Sequence, residues 1–156
     1  MTITKSTRYA LYAAAEMAMA ADGLVTVAAV ANRYGIPEAA LAKVFQQLVR
    51  AGFATGTRGI GGGYRLARPA SEITVLDVLH VFERARPTGA CLLHDGPGDR
   101  CPQSSACRLH WLFSEVDELV RCTYESVTLK TLVRRAKRSG PPPALIQLRR
   151  RARAVQ

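Results

Sequence analysis

Three cysteines and a histidine stand in the order Cys91-x9-Cys101-x5-Cys107-x2-His110. Three soft thiolates and one imidazole form a donor set for Zn²⁺ or for an iron–sulfur cluster. Cysteines gathered in one short segment, in a chain with no convincing secretion signal, are more often metal ligands than disulfide partners. Buried or disulfide-bonded cysteines are the competing account, and the spacing matches no zinc-finger pattern of paired CxxC motifs. Cys107 and His110 are three residues apart at an expected helix start, so both can point the same way. Cys91 and Cys101 fall in a Pro/Gly-punctuated loop that can wrap a centre. His94 lies inside that loop as a possible substitute ligand, whereas His80 reads as a core or surface histidine in mid-helix. Cys122 falls deep in the following helix and reads as a packed, inert thiol.

The second chemical signal is charge. Residues 1–68 carry eight basic and three acidic groups, residues 69–125 five and nine, and residues 126–156 nine and none. A basic head and a basic tail around an acidic middle point to an anionic polymer as partner, with a merely solubilising tail as the alternative. No motif pairs a nucleophile with a base, and the cysteines are better used as ligands, so an enzyme is the poorest reading. No run free of charged residues exceeds about ten, against the roughly 20 that a membrane-spanning helix needs. The apolar run after Lys5 and Arg8 is cut by Glu16, too short for a signal peptide. A cytoplasmic protein is expected.

These residues must be positioned by mostly helical elements. A helix is expected from Thr4 to Ala21, with Leu11, Ala14, Ala18 and Ala21 at helical spacing and Gly23 as a left-handed stop. A second runs from Val27 to Tyr34, with Thr26 as N-cap and Gly35 just beyond its end. A third runs from Pro37 to Ala51, with an apolar stripe of Leu41, Val44, Phe45 and Leu48. Its opposite face carries Glu38, Ala39, Ala42, Lys43, Gln46 and Arg50. Four glycines between Arg58 and Tyr64, flanked by extended runs, read as a β-hairpin bracketed by Arg58 and Arg65. A phosphate-binding loop is the weaker rival, because no GK[ST] ending follows and a strand, not a helix, comes next. Thr74 caps a helix whose Val75, Val78, Leu79 and Phe82 face a core. A long helix from about Ser105 to Tyr124 bears the stripe Leu109, Leu112, Phe113, Val116, Leu119 and Val120. A helix of that length in so small a chain is expected to pack on a twin in a dimer, the alternative being its own domain. A short turn from Thr128 to Arg135 follows, then the breaker Ser139-Gly-Pro-Pro-Pro and the basic run Arg149–Arg153.

The head Thr4-Lys-Ser-Thr-Arg-Tyr-Ala-Leu, the wing Arg58-Gly-Ile-Gly-Gly-Gly-Tyr-Arg-Leu and the cysteine loop before a long helix resemble the Rrf-two superfamily of winged-helix transcription regulators. The resemblance covers about residues 1–135. It is most like the iron–sulfur cluster regulator (IscR) type, with the nitric-oxide-sensing (NsrR) type second. It implies cluster ligands at Cys91, Cys101, Cys107 and His110. The first cysteine gap, nine residues, is longer than either type usually has. The NsrR type carries an acidic ligand near the N-terminus where this chain has Arg8, which favours His110. A histidine-ligated centre implies a 2Fe–2S cluster in preference to 4Fe–4S.

The resulting expectation is a mainly α fold with a small β-hairpin: a winged helix-turn-helix domain plus a long dimerisation helix. Residues 1–83 form the DNA-binding domain, 84–106 the cluster-binding loop, 107–136 the dimerisation helix and C-terminal turn, and 137–156 a basic, disordered tail. The third helix enters the major groove of a double-stranded DNA operator, with Lys43 and Gln46 reaching base edges; the resemblance marks Ala39 and Ala42 as groove-facing. Arg58 enters the minor groove, while Arg65, Lys5 and Arg8 meet phosphates. The tail, residues 139–156, adds sequence-independent affinity. A homodimeric regulator whose DNA affinity follows its cluster is the first reading. The alternative is a winged-helix interaction module with structural zinc or no metal and no sensing role.

Overall fold

Thr4 sets the start of the first helix, α1 (Lys5–Met19), its hydroxyl accepting the Thr7 N–H. In the computed structural model, which describes residues 3–20, 23–83 and 107–136, α1 is the central post of the fold. Its buried face is Thr7, Ala10, Ala13, Ala14 and Met17. This face is offset from the expected stripe: Leu11 and Ala18 are only half-buried against the core, and Ala21 lies outside the described residues. Small alanine side chains let neighbouring helices approach closely, and α1 packs against four of them.

Gly23 is not the expected left-handed stop. It is absent from the glycines with positive φ, and its N–H donates to the Ala20 carbonyl at 2.8 Å. The left-handed residue that matters comes next. The second helix, α2 (Val27–Tyr34), is capped by the Thr26 hydroxyl and closed by Gly35 at φ 63°. Ile36 then turns into the core, and Pro37 opens the third helix, α3 (Glu38–Arg50). Leu41, Val44, Phe45 and Leu48 of α3 are all buried, as their spacing predicts.

The hairpin pairs β1 (Ala54–Thr57) with β2 (Gly63–Leu66) antiparallel, in the register Ala54↔Leu66 to Thr57↔Gly63. Val25 and Tyr64 exchange both backbone hydrogen bonds at 2.8 Å, which clips the segment before α2 onto β2. That close approach requires Gly63, where a Cβ would stand 2.9 Å from the Val25 carbonyl oxygen. The Tyr64 ring stacks on Phe45 with centroids 4.5 Å apart, tying the wing to α3.

A fourth helix, α4 (Val75–Phe82), starts with a complete capping box between Thr74 and Asp77. The fifth, α5 (Arg108–Ser126), is the longest. After it the chain returns to the body: Val127 accepts from Val75, Leu129 donates to Ile73, and Lys130 donates to Ala70. The expected turn over Thr128–Arg135 is a helix, α6 (Leu129–Ala136), capped by Thr128, and its fully buried Leu129 joins the core around α1. The fold is thus mainly α with one two-stranded antiparallel hairpin. Among the described residues, no helix is long and apolar enough to cross a membrane.

Candidate nucleic-acid interface

Buried leucines, Val44 and Phe45 fix the rotation of α3, so the opposite face is left to solvent. Ala39, Lys43, Gln46, Gln47 and Arg50 are exposed there, and Ala42 is half-buried. A groove between α3 and the wing is lined by Thr26, Gln46, Arg50, Thr57 and Arg58. A second groove, on the other flank of α3, is lined by Ser6, Tyr9, Ala39, Lys43 and Gln47. Gln46 and Arg50 line both, so α3 is the ridge between two polar troughs.

Lys5, Arg8, Lys43, Arg58 and Arg65, singled out by sequence, are all exposed, as is Arg50. None of these six is among the ion pairs formed by the described residues, which join Arg33 to Glu16 and Arg121 to Glu118 and Glu125. Exposed cations on α1, α3 and the hairpin that form no ion pair among the described residues produce a positive field suited to a polyanion. Three further polar residues on these troughs, Ser6, Gln47 and Thr57, were not singled out by sequence; Gln47 lies one turn beyond Lys43, the spacing that would have marked it.

Glu16 anchors the support. It accepts from the Tyr34 hydroxyl at 2.5 Å and from Arg33 at 3.0 Å, joining α1 to α2. Burial first, and the bond to Glu16 second, push the Tyr34 phenol above its usual range. Neither contact is readable from local sequence.

Of the four expected ligands, Cys91 and Cys101 lie outside the described residues, as does His94. Cys107 is the half-buried N-cap residue of α5 and is a free thiol. His110 follows in the first turn of α5, and its Nδ1 is buried with no hydrogen-bond partner among the described residues. A buried, unpartnered imidazole nitrogen beside a thiol fits a ligand role, because such an atom otherwise costs free energy. The described residues alone hold no group of three or more metal-ligating side chains. His80 is an exposed residue of α4.

Cys122 departs from expectation. It is exposed rather than packed, and its thiol donates to Glu118 Oε1 at 3.4 Å. That bond to a carboxylate raises the thiol pKa, which favours the protonated form over the thiolate. Among the described residues, nothing covers this side of α5. Leu109 (60%), Leu112 (48%), Val116 (45%) and Leu119 (63%) are likewise open to solvent.

The chain compares closely with known regulators. The Rrf2 family, described as "Iron-dependent Transcriptional regulator", matches residues 3–135. The HTH-type transcriptional regulator BadM of Rhodopseudomonas palustris is 37% identical over 134 residues, covering 86% of this chain and 82% of that protein. The HTH-type transcriptional regulator IscR of Photorhabdus laumondii is 30% identical over 134 residues, covering 85% and 79%. The solved structure of CymR, the global cysteine regulator of B. subtilis, superposes with a TM-score of 0.69 at 25% identity, covering 85% of this chain and 96% of that one. With the winged helix-turn-helix and its cationic ridge in place, the chain belongs to the Rrf2 family of DNA-binding transcriptional regulators and is not an enzyme.

Proposed function

We propose that this regulator is a homodimer that binds a double-stranded DNA operator in sequence-specific fashion, with an affinity set by an iron–sulfur cluster. The carrying observation is the set of six exposed cations on and around α3 and the wing that form no ion pair among the described residues. In this reading α3 lies in the major groove, where Lys43 and Gln46 meet base edges and the Ala39 and Ala42 methyls face thymine methyls. Two alanines leave few hydrogen-bonding groups, so part of the specificity comes from DNA shape. Arg58 enters the minor groove, and Arg65, Lys5 and Arg8 hold phosphates. Two recognition helices bind one operator when α5 pairs with its twin, covering the apolar row Leu109, Leu112, Val116 and Leu119. The protein works in the cytoplasm, where its DNA is.

Cys91, Cys101, Cys107 and His110 would hold the cluster, and one imidazole among three thiolates favours the 2Fe–2S type over 4Fe–4S. When bound, the cluster supplies a redox couple and a site open to attack by oxidants or nitric oxide. The chain's own contribution is placement. Cys107 caps α5 and His110 stands in its first turn, so ligation of the two would act on the start of the proposed dimer helix.

A second reading keeps the DNA face without the cluster, holding structural zinc or no metal. It is favoured by the likeness in fold to CymR, described as the global cysteine regulator of B. subtilis. Anaerobic purification with visible absorption and iron, sulfide and zinc analysis separates the two, with Cys101→Ala and His110→Ala run alongside. The first reading predicts a brown protein with iron and acid-labile sulfide, bleached in Cys101→Ala and spectrally shifted in His110→Ala. A colourless wild type holding zinc or nothing overturns the sensing role.

A further inference from the structure

The tip of the wing carries a residue that the proposed phosphate and base contacts leave unused. Ile60 is 111% exposed, far more than the next large apolar side chain among the described residues, Trp111 at 68%. A single exposed aliphatic residue is ordinary on a protein surface and by itself means nothing. Its setting is what distinguishes this one.

The four residues Gly59 to Gly62 close a β-turn, in which the Gly62 N–H donates to the Gly59 carbonyl at 2.9 Å. Gly61, the third residue of that turn, has φ 81°, the positive value that a type II turn requires at this position. Ile60 is the second residue, the apex. The turn is also closely packed against its own strands. A Cβ on Gly62 would stand 2.4 Å from the Thr57 carbonyl oxygen and 2.9 Å from that of Gly59. Ile60 is thus a stiff β-branched side chain held outward at the furthest point of a hydrogen-bonded turn.

Charge complementarity identifies what covers it. Two residues before Ile60 stands Arg58, exposed and in none of the ion pairs, on the rim of the groove that separates the wing from α3. A polyanion that draws in Arg58 therefore receives Ile60 as well. An apolar apex beside a cation matches the minor groove, where Arg reads the narrow negative channel and short apolar wedges enter between base steps.

Building on the DNA reading above, we propose that Ile60 is a wedge that enters the DNA minor groove beside Arg58, partly unstacking one base step and bending the operator. Steps that unstack at low cost, TA and CA/TG, are then preferred under the wing although no hydrogen bond reads them. Ile60 is thereby a specificity-determining residue that acts through DNA deformability, while Arg58 supplies attraction.

The test uses the full-length protein and a duplex selected from a random pool by the wild type. The probe carries 2-aminopurine at each candidate step in turn and a donor–acceptor pair at its ends to report bending. Wild type, Ile60→Ala, Ile60→Ser, Ile60→Pro and Arg58→Ala are compared. Pro favours the second position of this turn and is itself an apolar wedge, so Ile60→Pro should keep both signals. Ile60→Ala and Ile60→Ser should lose the 2-aminopurine enhancement and most of the bend. Their preference for TA over a GC step at that position should fall about tenfold, the scale of one base-pair preference. Arg58→Ala should weaken binding to every duplex. Unchanged bending and 2-aminopurine signals in Ile60→Ala and Ile60→Ser overturn the wedge while leaving DNA binding intact. A wild type that retains no duplex at all overturns the DNA reading, and the wedge with it.

Discussion

Glu83 ends α4 and reaches back across the fold to the first turn of α1. Its Oε1 accepts the Thr4 N–H at 2.8 Å and the hydroxyl of Thr7, which is fully buried. The start of α1 has backbone N–H groups without helical partners and a positive dipole end, so a carboxylate there is doubly favoured. The Thr7 hydroxyl first, and the Thr4 N–H next, hold the Glu83 carboxyl below the usual carboxylate range. A hydrogen bond to a charged acceptor contributes about 1.5–3 kcal/mol. Because Glu83 is only half-buried and water competes for its carboxylate, Glu83→Ala is expected to cost about 2 kcal/mol, less than two full bonds of this kind. That equals a fall in Tm of about 4–8 °C for a chain of this size. Thr7→Val should cost about 1.5 kcal/mol, and the double variant about 1 kcal/mol less than the sum, since both substitutions remove the same bond. Urea unfolding of the four proteins at pH 7 measures the cycle. The pH dependence has a fixed sign. A carboxyl with a lowered folded pKa stabilises fully above its unfolded value, near 4.5, and the contribution is lost as pH falls through the folded value. The gap between wild type and Glu83→Ala should therefore hold from pH 7 to about 5 and shrink in more acidic solution. Additivity of the two substitutions within about 0.5 kcal/mol, or a gap indifferent to acid, would refute the bond.

Two further outcomes follow from packing. Leu129→Ala empties a fully buried position between α6 and α1 and should cost about 2–5 kcal/mol in urea unfolding, although the residue lies far along the chain from the core it completes. Leu112→Asp with Leu119→Asp places charges on the open apolar row of α5, and analytical ultracentrifugation should show the proposed wild-type dimer reduced to a monomer, with thermal stability of the α1–α4 core retained.

What the sequence made legible was local. Thr26, Gly35 and the Leu41, Val44, Phe45, Leu48 stripe bound α2 and α3 because caps, left-handed glycines and a 3.6-residue period act within a few residues. The wing was legible through its glycines, since a tight turn tolerates little else. The face of α1 was only partly legible: Ala14 is buried as expected, but a run of alanines offers little contrast between sides, and packing selects Ala10, Ala13 and Met17 beside it. Gly23 looked like a stop because glycine permits positive φ, but permission is not use. Helix α6 was missed because what holds Leu129 in place is pairing with Ile73, more than fifty residues away in the chain. The same limit applies to the interface: cations were found by type, whereas Ser6, on α1, joins the α3 flank only through the fold. For Cys122, the expectation of burial failed because a long apolar helix does not reveal whether its cover lies in the same chain.

The central claim is that α3 and the wing together read DNA. Its most direct test is the affinity of the full-length protein for its selected duplex across a salt series, by fluorescence anisotropy. Wild type is compared with Lys43→Ala/Arg58→Ala and with Lys130→Ala, an exposed cation on α6. The account predicts a loss of at least about tenfold in the double variant, with a shallower salt slope because two cations leave the DNA-facing surface, and no change in Lys130→Ala. Equal affinity and slope in all three proteins would contradict it.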